Sequence, residues 1–302
     1  MDWSADTQKI CHSLIEQLRL PHNFETMVRD VYLPLAKIII DKKQDQPLLV
    51  SINGAQGTGK STLSRFLKHI IESQLSYHAA ELSLDDFYSS RSRRQQLGRE
   101  VHPLFVTRGV PGTHDTGLIE NVLDALMNRQ PCTAPRFDKA SDERCAQSEW
   151  VSYSKPVDVI LFEGWCNQSP AQSLDELTDP INELEACEDA EGIWRHYANQ
   201  QLIDYHERFY KHADISIMLN AVEFERIYAW RSLQEQKLRQ ITSTATSAAQ
   251  QRHVMDGHQL KRFIQHYERI TRHTLRHLPH SADVVLPIAA DHSIIGIVQN
   301  HV

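Results

Sequence analysis

Apolar residues recur at mostly helical spacing between residues 6 and 43: Ile10, Leu14 and Leu18, then Val28, Leu33 and Ile38 to Ile40, with Pro21 and Pro34 as breaks. This pattern predicts a helical N-terminal extension over residues 1–46. The pattern then changes to five short apolar runs: PLLVSIN at 47–53, AELSL at 80–84, VDVILFE at 157–163, ISIML at 215–219 and ADVVLPI at 282–288. Runs of that length and composition read as parallel strands buried on both faces. Helical stretches between them imply βαβ crossovers, with ligands bound beyond the carboxyl ends of the strands. Two segments interrupt the rhythm of this second domain, residues 47–302. Residues 164–212, acidic around Asp175 to Glu191, read as an insertion, and residues 221–281, rich in Arg, Gln and His, as a lid with C-terminal helices.

The first run is followed at once by GAQGTGKST, in which Gly54, Gly59, Lys60 and Ser61 fit GxxxxGK[ST], and then by the amphipathic stretch LSRFLKHIIES. A glycine-rich loop between strand and helix cradles phosphates for definite reasons. Glycines let backbone N–H groups approach the oxygens, the helix N-terminus adds a positive dipole, a lysine reaches the β/γ oxygens and a hydroxyl ligates Mg²⁺. The whole loop, Gly54, Ala55, Gln56, Gly57, Thr58, Gly59, Lys60, Ser61 and Thr62, is the expected nucleotide site. The loop resembles that of the P-loop NTPases, which implies a three-layer α/β/α fold with a five-stranded parallel sheet in the order 2-3-1-4-5.

Acidic residues close two further runs. SLDDFY sets Asp85 and Asp86 just past the second, where a carboxylate could accept the proton of a substrate hydroxyl or simply open a helix. VILFEGW ends with Glu163, suited to Mg²⁺ or its waters. The stretch EFERIYAWRSLQEQKLR carries Arg226, Arg231, Lys237 and Arg239, cations that could fold over a nucleotide or face solvent.

Composition narrows the partners. A formal net charge of -7 argues against nucleic acid, which calls for a basic stripe. Five cysteines without a CxxC pair suggest neither a disulfide framework nor a zinc site, and fit a reducing cytoplasm. No run of about 18 apolar residues predicts a membrane span. The expected partner is a small molecule, with the chain a monomer or homodimer.

In this order GAQGTGKS, SLDDFY, TRGVPGTHD, APRFDKA, VILFEGW and YAWRSLQEQKLR resemble D-glycerate 3-kinase, within the group of uridine kinase, pantothenate kinase and phosphoribulokinase. The resemblance spans residues 48–290. It implies ATP- and Mg²⁺-dependent phosphoryl transfer to a hydroxyl of a small anionic metabolite, D-glycerate first among them. Asp85, two positions before Phe87, is the implied base. Ser61 and Glu163 are the implied metal ligands, and Lys60, Arg231 and Arg239 the implied phosphoryl-stabilising cations. Asp86, Tyr88, Arg108, His114, Asp115 and Arg136, with Lys139, are the implied acceptor contacts. Other readings are a kinase of the same fold acting on pantothenate or a nucleoside, and a regulatory P-loop NTPase without a small-molecule acceptor.

Two weaker patterns remain. The tract IWRHYANQQLIDYHERFY spaces its aromatic residues as packing does. His273 and His277 stand at i, i+4 on a predicted helix, but without a third ligand nearby in sequence they read as a solvated face.

Overall fold

A computed structural model of the chain describes residues 3–21, 23–232 and 256–300. Helices α1 (Ala5–Gln17), α2 (Phe24–Met27) and α3 (Leu33–Asp41) precede strand β1 (Leu48–Gly54) and helix α4 (Lys60–Gln74). Strand β2 (Ala79–Ser83) leads to α5 (Arg91–Glu100) and α6 (Thr116–Met127). The short strands β3 (Cys132–Ala134), β4 (Phe137–Asp138), β5 (Glu143–Arg144) and β6 (Val151–Tyr153) form two antiparallel ribbons, β3 with β6 and β4 with β5. Then come β7 (Val159–Gly164), α7 (Glu183–Glu188), α8 (Ile193–Arg208) and β8 (Ile215–Asn220). A helix α9 is described over residues 224–232, followed by α10 (Gly257–His277), β9 (Val284–Pro287) and β10 (Val298–Gln299).

The main sheet runs β10-β9-β8-β1-β7-β2. Its five parallel strands, numbered along the chain, lie in the order 2-3-1-4-5, and β10 pairs antiparallel with β9. The expected sheet lacked that sixth strand, a two-residue element with Val298 exposed and no apolar run to announce it.

Alternation along the strands splits the core in two. Leu48, Val50 and Ile52 of β1 join Val159 and Leu161 of β7 on one face. Leu49 joins Ile160 and Phe162 on the other, as the two-residue period of a strand requires. The first face is covered by α4, whose Leu63, Phe66, Leu67, Ile70 and Ile71 make one apolar stripe.

The N-terminal helices pack on the outside of α4. Ser4 caps α1 by accepting the Thr7 N–H at 3.1 Å, Thr7 Oγ1 meets Ser73 Oγ at 2.9 Å, and Phe24, Tyr32 and Phe66 form an aromatic cluster. The expected break at Pro34 is absent: helical backbone continues from α2 through a π turn, Val28–Tyr32, into α3. The wide turn loosens the helix just where the proline ring would meet the carbonyl four residues back. No described helix is long and apolar enough to cross a membrane.

Candidate active site

Strand register brings three motifs to one edge. β7 lies between β1 and β2, so Glu163 stands beside Ile52 on one side and Ser83 on the other. The loop after β1 and the acidic turn after β2, Leu84–Phe87, therefore leave the sheet on either side of Glu163.

The loop has the backbone of a phosphate cradle. Gly57 and Gly59 take φ of 82° and 88°, the left-handed region that glycine enters without penalty, and Gly59 caps α4. Thr58 closes the loop with its hydroxyl on the Ala55 carbonyl at 2.8 Å. A Cβ on Gly54 would sit 2.5 Å from that hydroxyl oxygen and 3.2 Å from Leu219 Cβ, so a side chain at the first position of the motif would displace the Thr58 contact.

Ser61, in the first turn of α4, donates its hydroxyl to Glu163 Oε1 at 2.7 Å. Glu163 is 4% exposed and its Oε2 has no hydrogen-bond partner. A buried carboxylate oxygen left unpaired is costly unless a cation answers it. This hydroxyl and carboxylate are hard oxygen donors of the kind Mg²⁺ takes, and they fit it.

The two neighbouring aspartates face different partners. Asp85 Oδ1 accepts from the Tyr88 hydroxyl at 2.8 Å and Oδ2 from Lys139 Nζ at 2.5 Å. Burial alone would raise the Asp85 carboxyl, but the charges of Lys139 and Lys60 and these two hydrogen bonds outweigh it and hold it at about 2. Asp86 turns the other way and accepts the Phe137 N–H at 3.0 Å, tying the acidic turn to β4. Burial is the main cause of its carboxyl lying above the ordinary value.

From Asp85 a chain of polar contacts runs through the TRGVPGTHD segment. Tyr88 stacks on His114 with ring centroids 4.7 Å apart, and His114 Nδ1 meets the Tyr205 hydroxyl at 3.0 Å. That hydroxyl also accepts the Gly112 N–H at 2.7 Å. Nε2 is buried and has no protein partner. Desolvation pushes the His114 pKa down to about 3 against the field of Asp85, keeping the ring neutral. His114 and Asp115 line a polar cleft of about 400 Å³ with Arg93, Tyr197 and Gln201, to which the P-loop contributes no residue.

The remaining expected acceptor contacts are placed differently. Asp115 caps α6, accepting the Leu118 N–H at 3.1 Å through Oδ1, and pairs with Arg144 at 3.0 Å through Oδ2. Arg108 is paired with Asp142, donates to the Lys139 carbonyl at 3.3 Å and lies 5.6 Å over the Phe137 ring. Arg136 stands before β4, and its carbonyl accepts the Cys145 N–H at 2.8 Å. In the segment expected to form a lid, Arg226 donates to the Ile288 carbonyl at 3.2 Å and so faces the C-terminal strands, whereas Arg231 lies 5.6 Å over Phe263 of α10. Lys237 and Arg239 lie outside the described residues.

Sequence reasoning missed Tyr205, which joins His114 to the Gly112 backbone. It also missed Arg94, fully buried and donating to the carbonyls of Ser89, Val106 and Asp142. Neither carries a local signal, because their partners lie in other elements. The aromatic tract of α8 does pack as its spacing implied, with Trp194 and Tyr205 buried.

No protein-family model matches the chain. Over 210 residues it is 30% identical to the uncharacterized kinase mug58 of Schizosaccharomyces pombe, covering 66% of the chain and 73% of that protein. Over 208 residues it is 28% identical to the chloroplastic D-glycerate 3-kinase of Arabidopsis thaliana, covering 64% of the chain but 42% of the plant protein. Among solved structures, the D-glycerate 3-kinase of Cryptococcus neoformans var. grubii superposes with a TM-score of 0.71 at 23% identity, covering 89% of the chain and 98% of that structure. At that identity the likeness is one of fold.

Proposed function

The chain belongs to the P-loop kinases that include D-glycerate 3-kinase, uridine kinase and pantothenate kinase, and within that group we propose that it transfers the γ-phosphoryl of ATP to a hydroxyl of D-glycerate. The observation that carries the reading is the meeting of the P-loop hydroxyl Ser61 with buried Glu163, beside an Asp85 kept ionised by Lys60 and Lys139.

Backbone N–H groups from Gly54 to Thr62 would hold the phosphates, with Lys60 at the β and γ oxygens on either side of the P–O bond that breaks. Ser61 and Glu163 would hold Mg²⁺, which when bound neutralises charge on the β and γ oxygens. Asp85 orients the acceptor hydroxyl and receives its proton as the oxygen attacks phosphorus and the bond to ADP breaks. A loose transition state, in which the attacking oxygen loses its proton late, asks only a weak base of this carboxylate.

An anionic acceptor is supported by the cations around this turn. Arg93 lines the polar cleft beside His114. Lys139 would exchange its contact with Asp85 for the acceptor carboxylate. Tyr88 positions Asp85, Asp86 shapes the acceptor site through the Phe137 backbone, and Asp115, which caps α6, also lines the cleft where the acceptor would lie. Arg231 would supply charge from the α9 side, and five free thiols suit a reducing compartment such as the cytoplasm.

The test is ADP release from Mg·ATP with D-glycerate, L-glycerate, pantothenate, uridine or no acceptor, with Lys60→Ala as the blank. Stimulation by D-glycerate supports the assignment. Stimulation by pantothenate or uridine alone would replace the acceptor, and a rate indifferent to all of them would favour the regulatory NTPase.

A further inference from the structure

Away from the P-loop, α10 carries His273 and His277 on one face, as an i, i+4 pair must be. Their ring centroids lie 4.3 Å apart. His273 is not on a solvated face as its sequence position suggested: it is 8% exposed, and its Nδ1 is buried without a hydrogen-bond partner. Facing that nitrogen at 3.6 Å is Oε1 of Glu176, from the acidic segment after β7. One donor atom from each of Glu176, His273 and His277 lies within 4.8 Å of the other two.

The third side chain is held in place. Glu176 Oε2 accepts from Ser173 N–H at 3.0 Å and Ser173 Oγ at 2.9 Å, which leaves Oε1 turned to the imidazoles. Its backbone carbonyl accepts from Arg269 Nη1 at 2.8 Å, and Arg269 also reaches the Asp179 carbonyl at 2.6 Å. Arg269 lies one turn before His273 and forms a buried bidentate pair with Glu185, so α10 and the acidic segment are joined at this point. Such outer contacts orient metal ligands.

We propose that Glu176, His273 and His277 form a binding site for a first-row divalent ion, Zn²⁺ in the first instance, that links the segment after β7 to α10. Two imidazole nitrogens and one carboxylate oxygen are a known three-ligand set for zinc, and the exposure of His277 leaves a route of entry and a position for water. Imidazoles select against Mg²⁺, so this site and the Ser61–Glu163 pair would take different ions. The same helix also touches the TRGVPGTHD segment, where Tyr267 donates to the Arg108 carbonyl at 3.2 Å.

The test uses the full chain stripped of metal, in excess Mg²⁺ and without nucleotide. Zn²⁺ is titrated by calorimetry, and Co²⁺ by its visible absorption. One equivalent should bind and raise the thermal midpoint, and His277→Ala, an exposed position, should weaken binding by about 100-fold or more. Glu176→Gln should weaken it as well, with circular dichroism unchanged in both variants. Absence of one-equivalent binding, or equal affinity in either variant, would overturn the site without touching the kinase assignment.

Discussion

Acidification should destabilise this fold in part through one buried imidazole. His114 is 5% exposed, clasped between Tyr88 and Tyr205, and desolvation lowers its pKa from 6.5 to about 3. Between those two values the unfolded chain binds a proton that the folded chain excludes. The stability due to His114 is therefore complete above pH 6.5, falls as the pH falls, and stops falling near 3. Each pH unit in that window is worth about 1.4 kcal/mol, so about pH 5 the loss is roughly 2 kcal/mol. His266, also buried and lowered to about 4, adds a similar loss over its own window. His114→Gln removes the first titration while keeping an amide within reach of Tyr205. Urea unfolding of both proteins near pH 7.5 and about pH 5 isolates it, provided the denaturant slopes agree. The wild type should lose about 2 kcal/mol more than the variant between the two conditions. Equal losses would refute the desolvation argument.

Four further outcomes follow from the same geometry. Lys60→Ala should abolish phosphoryl transfer and leave the unfolding midpoint unchanged, read by ADP release and urea titration. Asp85→Asn should lower kcat by about 10²- to 10⁴-fold with little change in nucleotide affinity, measured by titration of a fluorescent ATP analogue. Glu163→Gln should raise the Mg²⁺ concentration for half-maximal activity by at least about 10-fold, since the Ser61 hydroxyl would lose its anionic partner. Arg269→Ala leaves Glu185 charged and buried, and should cost about 3–5 kcal/mol in urea unfolding, far more than removal of an exposed pair such as Arg272 with Glu225.

What the sequence disclosed was local. The P-loop is nine consecutive residues between a strand and a helix, so its backbone and its glycines could be read together. Glu163 stood out because an acid at the end of VILF contradicts its apolar surroundings. Asp85 and Asp86 could not be separated by spacing alone. What divides them is the Phe137 N–H that takes one and the Lys139 ammonium that takes the other, both supplied by a ribbon some fifty residues on. The same limit hid the Tyr205 contact of His114, and the Glu176 carboxylate that turns an i, i+4 histidine pair into a three-donor cluster. Asp115 also caps α6, a role that its place in the implied acceptor motif did not announce.

The most direct test follows the phosphoryl group itself. ATP labelled at the γ-phosphate is incubated with D-glycerate and either the wild type or Asp85→Asn, and the products are separated by chromatography. Labelled phosphoglycerate from the wild type, slowed by about 10²-fold or more in the variant, is the predicted result. Label released only as inorganic phosphate, or transferred to D-glycerate at the same rate by both proteins, would contradict it.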